Sequence, residues 1–149
     1  MSSTLDELVT KIKTAQAKIL DRGRALRVMV EMSDERRRQR ARGVLEGKQI
    51  KWLRGEDHEP VVSALVAGTG DESYTLSLTF GTDREGRSLV RKQVCDCPDH
   101  GRAGSCKHIL AVAGAWILTK RREYKRLQAA LEALTLDPAP PAGGPSARG

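Results

Sequence analysis

The residues whose types and spacing point most clearly to chemistry lie between Cys95 and His108. This stretch reads C-D-C-P-D-H-G-R-A-G-S-C-K-H and holds all three cysteines of the chain and two of its three histidines. Cys95 and Cys97 form a C-x-C pair, and Cys106 and His108 form a C-x-H pair after an eight-residue loop. Three thiolates and one imidazole complete a tetrahedral zinc site and leave no position open for water. The sequence therefore predicts a closed zinc site.

The spacing also predicts which elements hold the four ligands. In a strand that ends near Cys97, the alternation of side chains would place Cys95 and Cys97 on the same side. An apolar helical run begins near Ile109. We therefore expect Cys106 just before this helix and His108 in its first turn, because two positions apart within a helix face nearly opposite ways. The end of a strand and the start of a helix would then hold one ion between them.

These residues resemble the SWIM zinc finger, whose pattern is C-x-C, a variable loop and then C-x-H. The resemblance covers all four ligand positions and extends over residues 42–118, where a basic segment with two glycines and two apolar strands precede the cysteines. It implies a ββα unit that binds Zn²⁺ through Cys95, Cys97, Cys106 and His108. It also implies a binding module and not an enzyme, because SWIM fingers are generally regarded as DNA-binding or protein-interaction domains.

Other residues near the cluster have alternative interpretations. His100 could replace His108 as a ligand, although the C-x-H spacing favours His108, and His58 lies in an acidic turn that is typical of a surface histidine. Asp96 and Asp99 could accept hydrogen bonds from the ligands or could be ordinary turn residues. The alternative to a metal site is three buried cysteines that bind nothing, which their crowding beside a histidine disfavours.

Length and composition predict one modest domain with appendages. The chain has 149 residues, is 39% hydrophobic and is only 3% aromatic, so its core must be mainly aliphatic. No apolar run is long enough to cross a bilayer, and residues 1–4 lead directly into charged Asp6 and Glu7, unlike a signal peptide. We expect reduced thiols and a cytoplasmic location, or a nuclear one in a eukaryote, because the cysteine count is odd.

The net charge of +7 is distributed unevenly along the chain. Residues 34–54 hold eight basic and three acidic residues, and residues 95–136 hold seven basic and four acidic ones. Residues 55–94 hold four basic and seven acidic residues, so the predicted strands carry the negative charge. The basic segments could bind an anionic polymer such as nucleic acid, but a solvated helix face has the same composition.

Two basic stretches contain the candidate contacts to nucleic acid. The first, residues 36–42, has five arginines in seven residues and no aromatic residue, so it would contact the phosphate backbone without stacking on bases. A merely solvated helix explains this run equally well. The second is the basic helix that follows Cys106. The candidate contacts in both stretches are Arg36, Arg37, Arg38, Arg40, Arg42, Lys107, Lys120, Arg121 and Arg122.

The remaining sequence predicts an α+β fold. Apolar alternation predicts a small antiparallel meander of three or four strands, with the C-x-C pair at the end of its last strand. A turn or short strand between Gly43 and Gly47 is expected before the meander. An apolar stripe predicts the helix that follows the zinc knuckle. We divide the chain into an N-terminal helical region, a finger domain, a basic helical extension and a disordered tail rich in proline and glycine, at residues 1–41, 42–118, 119–136 and 137–149.

The N-terminal helix is predicted to run from Ser3 or Thr4 to about Met32. Its apolar residues repeat every seven positions, which is typical of a coiled-coil seam; they include Leu5, Ile12, Ile19 and Leu26. We favour a helix folded back on or beside the zinc unit. A homodimer formed through this helix is the alternative.

The sequence predicts a zinc-dependent, non-catalytic protein that binds nucleic acid, with DNA as the favoured form. A zinc ion with four protein ligands cannot activate water, and no phosphate-binding loop, carboxylate pair or serine nucleophile elbow is recognisable. One alternative is an adaptor whose zinc unit and N-terminal helix dock on a protein partner, such as a nucleic-acid enzyme. Another is a redox sensor in which oxidation of Cys95 and Cys97 releases zinc. No membrane partner is expected.

Overall fold

A computed structural model describes residues 3–56, 58–68, 70–98 and 106–136. Within these ranges the chain folds into three α-helices and one four-stranded antiparallel sheet, which confirms the predicted α+β class. The elements in chain order are α1 (Ser3–Glu31), α2 (Glu35–Glu46), β1 (Ile50–Arg54), β2 (Val61–Ala67), β3 (Ser73–Thr82), β4 (Ser88–Cys95) and α3 (Lys107–Thr135). In this part of the chain, no helix combines the length and the apolar character that a membrane crossing requires.

The sheet is a meander in which the strands lie side by side in chain order. Side chains on β2 and β3 alternate strictly, so that one face of the sheet is buried, as the sequence predicts. Val62 pairs with Leu78 and Ala64 with Leu76 across these two central strands, and all four side chains belong to the core. Strand β4 lies at one edge of the sheet, and its last residue, Cys95, is one of the candidate metal ligands.

The prediction of a turn or short strand between Gly43 and Gly47 is wrong, because α2 continues through Gly43 and ends at Glu46. The carboxylate of Asp34 caps the helix and accepts a hydrogen bond from the backbone N–H of Arg37 at 2.8 Å. Val44 is buried within the helix, and the N–H of Gly47 donates to the carbonyl of Gly43 at 2.9 Å. Packing of this buried face outweighs the low helix propensity of glycine.

The N-terminal helix folds back along α3, as the favoured interpretation predicts. Nε2 of Gln16 donates to Oε1 of Gln128 at 2.9 Å, and a side-chain carbon at Gly23 would lie 3.8 Å from the ring of Trp116. The two helices are therefore antiparallel neighbours. In the seven-residue seam, Leu26 is fully buried, whereas Leu5 is 43% exposed.

A hydrogen-bonded contact ties α1 to the first residue of the edge strand β4. The carboxylate of Asp21 accepts from the N–H of Ser88 at 3.1 and 3.0 Å, while the guanidinium of Arg24 donates to the Ser88 carbonyl at 2.7 Å. Partial burial raises the pKa of Asp21, but the hydrogen bonds from Ser88 and Arg24 outweigh it, so the pKa is lowered from its ordinary value. The charged carboxylate thus stabilises the helix-to-sheet contact.

We expect Asp21→Asn to lower the free energy of unfolding by about 1 kcal/mol at pH 7, because the hydrogen bonds to a charged acceptor are weakened. Since the folded-state pKa is lowered, this contribution is present above the unfolded-state pKa of about 3.9 and is lost as the pH falls through the folded-state pKa. Urea denaturation from pH 7 down to the lowest pH at which both proteins stay folded measures the difference.

Asp71→Asn is the matched control, because Asp71 lies exposed in the turn between β2 and β3. This control should leave the stability at pH 7 unchanged. Equal stability of Asp21→Asn and the parent protein at pH 7, or a difference that grows in acid, would contradict the assignment.

Candidate metal centre

The four predicted ligands come together where β4 ends and α3 begins. Cys95 is the last residue of β4, Cys97 follows two residues later, Cys106 is the N-cap of α3, and His108 lies in the first helical turn. All four side chains are buried, and they form a group that could hold a metal ion. The positions of Cys106 and His108 are those expected from the sequence, whereas β4 ends at Cys95 and not at Cys97.

Asp96 fixes the chain between the two cysteines of the C-x-C pair. Its carboxylate accepts from the backbone N–H of Thr75 at 3.0 Å and from the Thr75 hydroxyl at 3.2 Å. Its own N–H donates to the Thr75 carbonyl at 3.2 Å. Because Leu76 pairs with Cys95 in the adjacent register position, this contact extends the β3–β4 pairing to the metal cluster. Asp96 therefore positions the cysteine backbone through β3.

The start of α3 holds the other two ligands. The carbonyl of Cys106 accepts the first helical hydrogen bond, from the N–H of Leu110 at 3.1 Å. Ile109 and Leu110 are buried directly after His108 and anchor this first turn in the core. The ring of Tyr74, on β3, lies against the imidazole of His108 with the ring centroids 5.2 Å apart and the planes tilted by 40°. The helix start and the sheet thus fix the position of the imidazole.

The distances within the cluster suit a tetrahedral ion. Nδ1 of His108 lies 4.0 Å from Sγ of Cys95 and 4.0 Å from Sγ of Cys106, and ligand atoms of all four residues lie within 4.8 Å of one another. Zinc–sulfur bonds of about 2.3 Å and zinc–nitrogen bonds of about 2.0 Å place tetrahedral donor atoms roughly 3.5–3.8 Å apart. The distances between donor atoms would have to shorten by between a few tenths of an ångström and about one ångström to complete such coordination.

The electrostatics of the cluster also favour a cation. The hydrogen bond with Cys106 raises the pKa of the Cys95 thiol, and burial raises it further. In the absence of a cation the Cys95 thiol therefore keeps its proton, and a metal ion that binds as the thiolate complex displaces it. Soft sulfur donors together with one imidazole select zinc over the harder magnesium or calcium.

His58 does not extend this centre. His58 is 74% exposed and its Nε2 lies 3.2 Å from a carboxylate oxygen of Glu56, which confirms it as a surface residue. Glu56, His58 and Glu59 form a second group of potential donors, but all three are exposed. The predictions for His100 and Asp99 lie outside the described residues, as does the prediction of a disordered tail at 137–149.

The arginine run lies on α2, and its members differ in how exposed their guanidinium groups are to an external ligand. Arg36, Arg40 and Arg42 are exposed. Arg37 forms an ion pair with Asp34 at 2.8 Å, and Arg38 forms one with Glu35 at 3.0 Å and also donates to the carbonyl of Ser33. Exposed Arg36, Arg40 and Arg42 are therefore the members best placed to meet an external anion.

The basic residues of α3 also differ in availability. Arg121 and Arg122 are exposed, and Lys107 is half-buried in the first turn. Lys120 is only 9% exposed, and its Nζ lies 3.0 Å from Glu123 and 5.9 Å from the centre of the Trp116 ring. The ammonium group of Lys120 therefore makes contacts within the chain, which the charge pattern of the sequence alone does not reveal.

The four buried donors define a candidate metal centre of the closed type, compatible with zinc. A comparison of the chain with protein-family models, with curated proteins and with solved structures finds no match. The assignment of a metal to this centre therefore depends on the ligand types, their burial and the distances between their donor atoms.

Proposed function

We propose that this chain is a SWIM-type zinc-finger protein in which Zn²⁺ joins the end of β4 to the start of α3. The observation that carries the proposal is the buried cluster of Cys95, Cys97, Cys106 and His108, whose donor atoms lie within 4.8 Å of one another. A strand, a C-x-C pair, a loop, a C-x-H pair and a helix follow one another in the order that the SWIM resemblance implies.

The zinc ion has a structural role in this proposal. Four protein ligands leave no coordination position for a substrate or for an activated water, so the centre is non-catalytic. When bound, the ion links the sheet to α3 and neutralises the thiolates that burial would otherwise disfavour. The centre thereby stabilises the surfaces that the rest of the chain presents.

The proposed ligand of those surfaces is nucleic acid, with DNA as the favoured form. Arg36, Arg40 and Arg42 are exposed on α2, and Arg121 and Arg122 are exposed on α3, in a chain with a net charge of +7. Guanidinium groups of this kind neutralise phosphates and release counterions, which gives affinity that depends strongly on salt. The interaction would be with the backbone and largely independent of base sequence.

The triple variant Arg36→Ala, Arg40→Ala and Arg42→Ala tests this interaction in the zinc-loaded protein. Fluorescence anisotropy with a labelled DNA duplex is measured from low to physiological salt. We expect weaker binding and a slope of log affinity against log salt that is reduced by up to about 2.7, since each phosphate contact contributes about 0.9.

The matched control removes three other exposed charges, with Lys11→Ala, Lys13→Ala and Arg84→Ala. It should retain most of the affinity and of the salt slope. Absence of nucleic-acid binding at low salt, or an equal loss in both triple variants, would contradict the proposed interface.

An adaptor function is the second candidate, and one observation favours it. Leu5 and Leu8 at the start of α1 are 43% and 45% exposed, although they continue the apolar seam. A protein partner or a second copy of the chain would cover them. Leu5→Asp with Leu8→Asp should abolish such an association in sedimentation or pull-down experiments and leave binding of nucleic acid unchanged.

A further inference from the structure

A groove runs along α3 where this helix meets α1 and α2. It consists of two adjoining cavities with volumes of about 270 and 260 Å³, which share Arg27 and Ile117 as lining residues. We name it the α3 groove. Its lining extends along the helix from Leu110 to Lys125, which corresponds to about 22 Å at a rise of 1.5 Å per residue.

The floor of the α3 groove is apolar and its sides are basic. Leu45, Leu110 and Ile117 line one half of the floor, and Leu20, Ile117 and Tyr124 line the other. Glu31 is the acidic residue of the lining. The basic residues of the lining are Arg27, Arg38, Arg42, Lys120, Arg121 and Lys125.

Four of these cations are available to an external ligand. Arg27, Arg42, Arg121 and Lys125 are exposed, and none of the four lies within 4.0 Å of an acidic side chain in the described part of the chain. Together they line the groove from the α2 end to the middle of α3. The folding of three helices therefore brings cations from three separate sequence segments to one apolar channel.

We propose that the α3 groove binds single-stranded nucleic acid, with the phosphates against the four exposed cations and the bases against the apolar floor. This inference depends on the proposed nucleic-acid-binding function and names the form of the ligand. A duplex hides the faces of its bases and would contact only the basic sides. A single strand exposes both its phosphates and its base faces, which is the combination that a basic groove with an apolar or aromatic floor recognises.

Tyr124 is the aromatic residue of the floor that a base can reach. Its side chain is half-buried, whereas Trp116, which lines the same cavity, is only 3% exposed. The length of the groove accommodates at most about six nucleotides at the 3.4 Å spacing of a stacked strand. The floor combines buried Leu110 with half-buried Leu45 and Ile117, and Leu20 beside them is 54% exposed, so flat bases can pack against it.

The test uses the zinc-loaded full chain and two fluorescent probes, a twelve-nucleotide oligo-thymidine and a hairpin duplex with the same number of phosphates. We expect tighter binding of the single strand. Tyr124→Ala should lower the affinity for the single strand about tenfold, since stacking contributes about 1–3 kcal/mol per base, and should leave duplex binding unchanged. Tyr124→Phe keeps the ring and should restore the affinity.

A charge variant and its control locate the phosphates. Arg121→Ala with Lys125→Ala should reduce the salt slope for the single strand by up to about 1.4, at about 0.7 per contact. Lys11→Ala with Lys13→Ala removes the same charge from exposed positions on α1 that do not line the groove. This control should weaken both probes to the same small extent.

The outcomes separate this inference from the proposed function. Equal binding of both probes, with Tyr124→Ala and Arg121→Ala/Lys125→Ala no weaker than the control, would overturn the inference and leave nucleic-acid binding intact. Failure to bind either probe at low salt would overturn both. Binding of a synthetic helical peptide rich in leucine and glutamate, sensitive to the groove variants and without binding of oligo-thymidine, would also overturn the inference.

Discussion

Cys106→Ser is expected to abolish the folded state of this chain. Cys106 is 2% exposed and is the N-cap of α3, so it belongs both to the cluster and to the junction between the sheet and the helix. A structural zinc ion contributes about 10–16 kcal/mol to the folding of small zinc-finger peptides at neutral pH. Loss of this amount would match or exceed most of the range of about 5–15 kcal/mol that is typical of the stability of a domain.

The measurement combines far-ultraviolet circular dichroism with the zinc content of the purified variant. We expect loss of helical signal and of zinc in Cys106→Ser, and the same loss when the parent protein is treated with a chelator. Ala113→Ser is the matched control, because it places a hydroxyl at a fully buried position of the same helix. The control should cost about 1–3 kcal/mol and retain zinc. A folded Cys106→Ser protein with undiminished stability would contradict the structural role of the centre.

Trp116→Ala is expected to lower the free energy of unfolding by about 3–5 kcal/mol, the usual effect of deleting a buried aromatic side chain. Trp116 is 3% exposed and lies where three layers meet. Its ring is 6.2 Å from the ring of Phe80 on β3, and a side-chain carbon at Gly23 of α1 would lie 3.8 Å from it. The truncated side chain would leave a cavity at the contact of α3 with both the sheet and α1.

Urea denaturation of the zinc-loaded protein, followed by circular dichroism, measures this effect. Trp52→Ala is the matched control, because Trp52 is half-buried on the short strand β1 and its ring stacks against Arg54 at 4.7 Å. We expect the control to lose less than half as much stability as Trp116→Ala, and both variants to retain zinc. Equal losses would show that Trp116 is not the central contact of the core.

The parts of the fold that the sequence predicts correctly follow local rules. The alternation of β2 and β3 identifies their buried faces, because a strand that is buried on one side has a period of two. The placement of Cys106 before α3 and of His108 within its first turn follows from the geometry of two ligands that must converge.

The features that the sequence does not reveal depend on tertiary contacts. Gly43 suggests a helix end, but Val44 and its neighbours pack on α3 and the helix continues. The seven-residue seam of α1 does not specify its partner, and Ile19 and Leu26 are buried within this chain. Arg27 has no signal of its own in the sequence, since it becomes part of a basic groove only when α1, α2 and α3 are assembled.

The metal content of the purified protein tests the central claim most directly. The chain is purified without added zinc, and its bound metal is measured by elemental analysis and by native mass spectrometry. We predict about one zinc ion per chain, as a single closed site of four ligands requires. A well-folded chain that contains no metal would contradict the account, because the buried cysteines would then have to be explained without a zinc centre.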